Sequence, residues 1–252
     1  MKKIIFPILA VLFITSCVKD KPVINSTNQL SATEIIKNKI ASQESNPDFT
    51  VLISSVHPVA LLEENNINNS TIAVQAYSRE MNNIGTLDVN QNNIPFTDKT
   101  YFIQQDPPII NSDYLGKDVR VNIIGNNNFP NVDFKEYATE ISNFTLEGLL
   151  DQNKISFNTG VNMKWNVEPK NTNPCIIVIE GKNDNSEFVT KTVIVNENDG
   201  SYFITSSDLA QFVNFESIRL YFARGTDKII ETNGKEIEFT NINFSWARVY
   251  KN

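Results

Sequence analysis

Apolar and polar residues alternate one by one through most of the chain after residue 47, and this period of two constrains the fold more than any other feature. In the run DVRVNII, Val119, Val121 and Ile123 alternate with polar residues. Three further runs alternate in the same way, and their apolar residues are Val161, Met163, Trp165 and Val167; Ile218, Leu220 and Phe222; and Ile242, Phe244 and Trp246. Strict alternation is typical of antiparallel strands with one buried and one solvated face, which puts Asn243 and Ser245 on the solvated face. Long helical periodicity is absent from the sequence, which therefore predicts an all-β fold.

The strand-like runs fall into two groups. Residues 151–252 contain about seven such runs in roughly 100 residues, which is the spacing of a β-sandwich. Residues 48–150 predict a second, more degenerate sandwich-like domain. The segment FKEYATEISNFTLEGLL, which ends at residue 150, is less clearly β and is predicted to be a linker with a helical turn. The fold prediction is therefore two tandem antiparallel β-sandwich domains.

Asparagine clusters in NNINNS, NQNN and GNNN predict loops between strands, because Asn favours turns and tolerates left-handed backbone. In NENDGSYFI, the pair Asp199-Gly200 between two strand-like runs predicts a hairpin.

Residues 17–47 are mostly polar and lack strand alternation, and they predict a flexible tether. One short helix is expected inside it. Ser31 and Glu34 have capping-box spacing ahead of Ile35 and Ile36. The sequence leaves open whether this helix docks on the first domain or hangs free.

The first sixteen residues have the layout of a secretory signal. Lys2 and Lys3 precede an apolar stretch from Ile4 to Ile14, which as a helix would rise only about 16 Å and is too short to span a bilayer. Small residues follow, and then Cys17. No later stretch approaches the length of a spanning helix, so the rest of the chain is expected to be extracytoplasmic.

The run Ile14-Thr15-Ser16-Cys17 resembles the lipobox of bacterial lipoproteins. The resemblance implies that residues 1–16 are removed and that the Cys17 thiol receives a diacylglyceryl group that anchors the protein in a membrane. An ordinary signal peptide with a chance cysteine is the alternative. No aspartate follows directly after Cys17, which by resemblance to lipoprotein sorting rules favours the outer membrane, facing the periplasm or the cell surface.

The segment ISFNTGVNMKWNVEPKNTNPCIIVIEG resembles the opening strands of a fibronectin type III or immunoglobulin-like sandwich. Trp165 matches the core tryptophan of the second strand, and Leu209 matches the leucine before the next-to-last strands. Ile218 stands about where the fibronectin fold has a tyrosine. The whole chain resembles exported lipoproteins of unknown function built from tandem β-sandwiches.

Charge excludes some partners. The chain has a net charge of −7, and removal of residues 1–16 takes away two lysines and no acids, which leaves −9. This acidity argues against nucleic acid and against anionic membrane surfaces as partners. The sequence contains no glycine motif for phosphate or a dinucleotide, so no cofactor is expected.

Two residues could act as nucleophile or base, and both have simpler interpretations. Once Cys17 is acylated, Cys175 has no partner for an internal disulfide, and its apolar run predicts a small buried hydrophobic residue. His57, the only histidine, cannot form a multi-histidine metal site and is expected to be structural.

Carboxylates are the remaining route to catalysis, because two of them suffice for glycoside hydrolysis. The candidates are Glu63, Glu64, Asp98, Asp106, Asp113 and Asp118. Adjacent acids on a strand point to opposite faces, so Glu63 and Glu64 make a poor pair. Each of the loop acids is as well explained by a solvated residue in a turn as by a catalytic carboxylate.

Calcium is the best of the weak metal hypotheses. Asp88, Asn90 and Asn92 alternate like the start of an EF-hand loop, but Asn93 and Lys99 stand where that loop needs glycine and glutamate. The run NDNSE at residues 183–187 offers oxygen ligands but is better explained by a turn. No metal-binding, cofactor-binding or catalytic residue is therefore predicted.

The sequence favours a non-enzymatic lipoprotein that is anchored to the membrane through Cys17 and presents its β-sandwiches to a glycan or protein outside the cytoplasm. An accessory or scaffold lipoprotein of a membrane complex shares every sequence feature with it. A carboxylate-dependent glycoside hydrolase is a further alternative.

Overall fold

The computed structural model of the chain describes residues 30–40, 46–59, 71–105, 114–149, 153–182 and 187–252. The described residues are mostly strands, so the prediction of an all-β fold is confirmed. The helices are α1 (Ala32–Ile40) and α2 (Ser206–Leu209), with 3₁₀ turns at Glu197–Asp199 and Ala210–Phe212. The strands are β1 (Phe49–Pro58), β2 (Thr71–Ser78), β3 (Gly85–Val89), β4 (Asn92–Ile94), β5 (Phe96–Thr97), β6 (Thr100–Gln105), β7 (Lys117–Gly125), β8 (Val132–Ala138), β9 (Phe144–Glu147), β10 (Lys154–Ile155), β11 (Val161–Trp165), β12 (Cys175–Lys182), β13 (Phe188–Val195), β14 (Ser201–Ile204), β15 (Ser217–Thr232) and β16 (Lys235–Lys251).

Nine strands form one long sheet in the order β13-β12-β15-β16-β1-β2-β6-β5, with β10 also paired to β16. The pairing is antiparallel except that β1 and β10 run parallel to β16. The hairpin of β15 and β16 is about 50 Å long and turns at Asn233, whose φ is 49°. Strands from both sides of residue 150 join this sheet. The division into two domains at that residue stays a prediction.

Two smaller sheets cover neighbouring parts of one face of the long sheet, which we call the inner face. The sheet β4-β3-β7-β8 encloses the first core, to which the long sheet contributes Phe49, Val51, Ile53, Ile237 and Phe239. The sheet β14-β11-β9 encloses the second core, to which the long sheet contributes Ile177, Leu220, Phe222, Ala247 and Val249. The chain passes from one core to the other at residues 139–143. Sandwich-like packing of antiparallel sheets is thus present in both halves.

Between the two cores, the inner face of the long sheet is polar and yet buried. Along β16, Asn241, Asn243 and Ser245 follow Phe239 of the first core and precede Ala247 of the second. Each of these three polar residues is 0% exposed. The neighbouring strands carry buried polar residues at the same level. We call this group the polar belt, and it comprises Ser55, His57, Arg224, Thr226, Asn241, Asn243 and Ser245.

The prediction that Asn243 and Ser245 lie on a solvated face is therefore wrong. Both faces of the long sheet are covered at this level, so alternation separates two buried environments rather than core from solvent. On the opposite, outer face, Ile242 and Phe244 pack beneath α1. Val167 is also not in the core. It is 42% exposed because β11 ends at Trp165.

Two further local predictions differ from the structure. A turn does occur at Asp199-Gly200, where Gly200 has φ 65°. It is not a hairpin, because β13 pairs in the long sheet and β14 in the three-stranded sheet. The segment FKEYATEISNFTLEGLL contains β8 and β9 rather than a linker with a helical turn, because its apolar residues belong to the two cores.

The helix predicted within residues 17–47 is present as α1. The Glu34 carboxylate accepts the Ser31 backbone N–H at 2.9 Å, which is one half of the predicted capping box. The buried carboxylate of Glu180 accepts the Ala32 N–H at 2.9 Å and so fixes the start of the helix to β12. The helix packs through Ala32 and Ile36 on the outer face.

Helix α1 therefore docks, and it does so mainly on strands of the C-terminal half. Partial burial lowers the pKa of Lys37, and this effect is partly offset by Glu238 on β16.

Among the described residues, no helix is long and apolar enough to cross a membrane.

Trp165 lies in the second core, as the resemblance to sandwich domains implies. Its ring stacks on Phe222 with centroids 4.9 Å apart, and its indole N–H donates to the Glu197 carbonyl at 3.0 Å. Leu209 and Ile218 are also buried in this core. Leu209 is placed there by α2, whose start carries a capping box between Thr205 and Asp208.

We predict that Trp165→Ala lowers the free energy of unfolding by about 3–5 kcal/mol, because it leaves a large cavity in the second core. Urea denaturation followed by circular dichroism measures the change. Val167→Ala, two residues along and exposed, is the matched control and should cost no more than about 0.5 kcal/mol. Equal losses in the two variants would show that the Trp165 ring is not packed in this core.

Candidate functional site

Part of the polar belt binds the crossover segment at residues 139–143. Asn241 Oδ1 accepts the Thr139 backbone N–H at 2.8 Å and the Thr139 hydroxyl at 2.7 Å. The Asn243 amide donates to the Thr139 carbonyl at 2.8 Å, and its oxygen accepts the Ser55 hydroxyl at 2.6 Å. These bonds join β1, β16 and the crossover. These hydrogen bonds have a structural role, because each of the polar groups is already bonded to a neighbouring residue.

A second buried network surrounds the carboxylate of Glu197, which is 3% exposed. Its oxygens accept the Glu168 backbone N–H at 2.9 Å and the Asn171 amide at 2.8 Å. Arg224 of the polar belt lies 3.5 Å away and also donates to the Asn166 carbonyl at 2.7 Å. Buried charges of opposite sign that are also hydrogen-bonded partly offset their loss of hydration.

Cys175 belongs to this network. Its Sγ lies 2.7 Å from Glu197 Oε2 and donates to it, and the residue is 0% exposed. Burial, reinforced by the neighbouring Glu197 carboxylate, raises the pKa of the Cys175 thiol far above its ordinary value. Because the thiolate is the reactive form, this thiol is a poor nucleophile. It is a small buried side chain, as the sequence predicts, with a hydrogen bond that the sequence did not indicate.

His57 is fully buried in the polar belt on β1. Burial lowers its pKa, so the imidazole is neutral at physiological pH. A general base must be within reach of substrate, and a completely enclosed ring on a central strand is not.

Two of the candidate acids lie among the described residues, and they belong to different sheets. Asp98 occupies a turn with φ 48°, and Asp118 lies exposed on β7. Glu63, Glu64, Asp106 and Asp113 lie outside the described residues, as do Cys17 and residues 183–186.

The possible calcium loop is a β-hairpin. Asp88 lies on β3 and Asn92 on β4, and Asn90 and Gln91 form the turn between them with positive φ. Asn90 Oδ1 accepts the Arg120 N–H at 2.8 Å, so that oxygen is already bonded. Within the described part of the chain, no three His, Cys, Asp or Glu residues lie where they could hold a metal ion.

The best candidate for a ligand site lies at one end of the long sheet, where β1 and β16 begin and β2 ends. We call this end the distal tip, and it comprises residues 46–48, 79–84, 126–131 and 233–235. These loops enclose a small pocket of about 170 Å³, whose polar lining includes Arg79, Glu80, Asn82, Asn128 and Lys235. Water occupies about 30 Å³ per molecule. The pocket therefore accommodates a small polar group such as a single sugar ring.

Side-chain bonds between the loops hold the distal tip in place. The Asn126 amide donates to the Asn83 carbonyl at 2.8 Å, and the Asn233 amide donates to the Asn131 carbonyl at 2.7 Å. A carbonyl of one loop is thus bonded to an amide of another. The two asparagine amides therefore hold these loops in one arrangement, which lowers the entropy lost when a ligand binds.

Charged side chains at the base of the pocket also hold the loops of the distal tip in place. The Asp48 carboxylate accepts the Glu236 N–H at 3.1 Å and faces Lys235 at 3.5 Å and Arg79 at 3.7 Å. The backbone bond, helped by these two cations, lowers the pKa of Asp48 below its ordinary value. Asp48 is thus ionised at neutral pH, and the pocket presents both cationic and anionic groups.

A larger groove of about 620 Å³ lies at the opposite end of the long sheet. Its lining includes Lys154, Val213, Phe215 and Tyr250. Val213 is 43% exposed and Tyr250 is 41% exposed. This groove is more apolar than the distal tip and has no convergent set of catalytic groups among its described residues.

Sequence reasoning missed the pairing of Glu197 with Arg224. One signal was present. In the alternating run that begins at Ile218, Arg224 occupies a position on the apolar face, and a cation buried on such a face requires a partner. The partner could not be identified, because Glu197 is distant in sequence and lies next to a turn. Of the distal tip, the sequence indicated only the loop within GNNN, because NQNN lies at the β3–β4 turn and NNINNS lies outside the described residues.

The sequence matches no family model and no curated protein.

We predict that Cys175 resists alkylation in the folded protein. In the Cys17→Ala variant, where it is the only thiol, iodoacetamide labelling measured by mass spectrometry should be at least about a hundredfold slower than in urea. A variant with Asn158→Cys, Cys17→Ala and Cys175→Ala places a thiol at an exposed turn and should react rapidly when folded. Comparable native rates at positions 158 and 175 would contradict the buried, protonated thiol.

Proposed function

We propose that this protein is a non-enzymatic lipoprotein, anchored through Cys17 in the outer membrane and facing the periplasm or the cell surface. It presents β-sandwich modules of immunoglobulin or fibronectin type III character, and its distal tip binds a ligand outside the cytoplasm. The lipobox-like run that ends at Cys17 supports the anchor. The single observation that carries the binding function is the ordered polar pocket of the distal tip.

The position of the pocket supports presentation. Helix α1 begins beside Glu180 and ends near Gly225, so the chain runs towards the distal tip before β1 begins there. The long strands of the sheet then separate the tip from the start of α1 by about 40 Å. A ligand site at that end is held away from the side on which the anchored N-terminus enters.

The lining of the pocket favours a glycan over a protein partner. Exposed amides at Asn82 and Asn128 and the charged groups of Arg79 and Glu80 can hydrogen-bond hydroxyl groups. Phe129, held beneath Lys235 at 5.6 Å, is 6% exposed and adds an apolar floor. A protein partner would require a broader apolar surface than this pocket provides.

The absence of catalysis is part of the proposal. The Cys175 thiol is buried with a raised pKa, and His57 is enclosed and neutral. Carboxylate chemistry is the one competing route. Measurable hydrolysis of a glycoside that is lost in Asp106→Asn or Asp113→Asn would replace the binding function with the hydrolase alternative.

We predict that Asn82→Ala with Asn128→Ala weakens glycan binding at least about tenfold, because each lost hydrogen bond costs about 1 kcal/mol. Binding of the purified protein to a glycan array identifies the ligand, and titration calorimetry then gives Kd for wild type and variant.

The matched control is Asn158→Ala with Asn198→Ala, which removes two exposed amides far from the distal tip. This pair should bind like wild type. Equal weakening in both pairs would remove the distal tip as the site, and retention of a protein with no glycan bound would favour the accessory-lipoprotein alternative.

We predict that Cys17→Ala abolishes membrane anchoring. Metabolic labelling with an alkyne palmitate analogue should mark the wild-type protein and leave the variant unlabelled, and the variant should leave the membrane fraction. Cys175→Ala serves as the control and should be labelled normally. Labelling that persists in Cys17→Ala would show that the lipid is attached elsewhere.

A further inference from the structure

The end of the long sheet opposite the distal tip carries a cluster of cations and aromatic rings on its outer face. Strand register places these side chains together. Arg219 is paired with Arg248 and Tyr250 with Lys154, and Lys182 lies two residues beyond Glu180, which is paired with Arg219. We call this cluster the basic face, and it comprises Lys154, Lys182, Arg219, Trp246, Arg248 and Tyr250.

The basic face is positively charged although the protein is acidic overall. It has four cations, and the carboxylates of the described residues in this part of the outer face are those of Glu180 on β12 and of the exposed Glu34 in the first turn of α1. Glu180 is 3% exposed and already accepts from the Ala32 N–H, while Arg219 lies 3.4 Å away. Lys182 and Arg248 are exposed to solvent. The face therefore has a local charge opposite to the net charge of −7.

Aromatic rings are interleaved with these cations. The Arg219 guanidinium lies over the Trp246 ring at 5.7 Å, and Tyr250 is 41% exposed beside the 620 Å³ groove. Tryptophan, tyrosine and basic residues together are the composition of surfaces that sit at the lipid headgroup level of a membrane.

The chain enters the described structure at this same end. The Ala32 N–H bonds Glu180, which is the strand neighbour of Arg219. Leu30 is only 13 positions after Cys17. Even fully extended, that length spans about 45 Å, so an anchor at Cys17 limits the distance between the membrane surface and the start of α1 beside the basic face to about that length.

We infer that the basic face binds the anionic phospholipid headgroups of the membrane that holds the Cys17 lipid. This inference rests on the proposed anchor, and it reverses the expectation from net charge that an anionic membrane surface is excluded. The attraction is local, because at physiological salt charges beyond about 8 Å are largely screened. It holds this end of the long sheet at the membrane, and the distal tip lies at the other end of the strands.

The test uses residues 17–252 with Cys17→Ala, which retains every described residue and cannot be lipidated. The protein should co-sediment with vesicles of phosphatidylcholine and phosphatidylglycerol, and much less with phosphatidylcholine alone. Lys182→Gln with Arg248→Gln should weaken binding to the anionic vesicles about thirty-fold, or roughly fivefold for each cation. Added salt should reduce wild-type binding in the same direction.

The matched control is Lys99→Gln with Lys135→Gln, which makes the same change in net charge at exposed positions of the first half. It should change binding no more than twofold. If the first pair fails to fold by circular dichroism, Lys154→Gln with Arg248→Gln carries the same test.

The inference would be overturned if the basic-face pair and the control pair weakened vesicle binding equally. Equal binding of the wild-type protein to neutral and anionic vesicles would also overturn it. So would retention of a soluble partner with no vesicle binding. The protein in this test carries no lipid, so its failure to bind vesicles says nothing about the anchor. The palmitate labelling of Cys17 tests the anchor separately.

Discussion

The rest of the structure depends on the parallel pairing of β1 with β16. The two strands are paired over ten residues, from Phe49 beside Ile237 to Pro58 beside Trp246. They contribute to the first core, to the polar belt and, through Leu52 and Ile242, to the surface on which α1 docks. Among the described strands, β2, β5 and β6 are joined in the sheet to the C-terminal strands through this pair alone. Residues about 190 positions apart in the chain are thus neighbours at the centre of the sheet.

The polar belt follows from the length of these strands. A strand that crosses two sandwiches must leave one apolar core and enter the next, and here the two covering sheets are separate, with the crossover segment joining them. Hydrogen-bonding residues fill it, with Asn241 and Asn243 bonded to the crossover segment and Arg224 to the network of Glu197. Breaking one buried charge pair typically costs about 3–5 kcal/mol, since the remaining charge is left without a partner. The belt therefore favours one register between the two halves over its alternatives.

Local signals predicted the elements whose environment is simple. The alternation of Val119, Val121 and Ile123 marks a strand with one wet face, and β7 has that form. The Ser31 and Glu34 pair located α1 because a capping box acts within one turn. Where both faces are buried, as at Asn243, alternation no longer distinguishes core from solvent. The turn at Gly200 was found, but its role in joining two sheets depends on partners distant in sequence. The distal tip shares this limitation, since its four loops meet only once the long sheet has formed.

β16 is an interior strand of the long sheet and lies between β1 and β15, both of which precede it in the sequence and are synthesised before it. Until residues 235–251 emerge, β1 and β15 each present an unpaired edge, and neither core is closed. Folding of this topology waits for non-local pairing, which is slow and exposes strand edges to other chains. A chain that stops early lacks its central strand rather than a peripheral one. Such a product cannot close either core, so its apolar strands are exposed to proteases and to other chains.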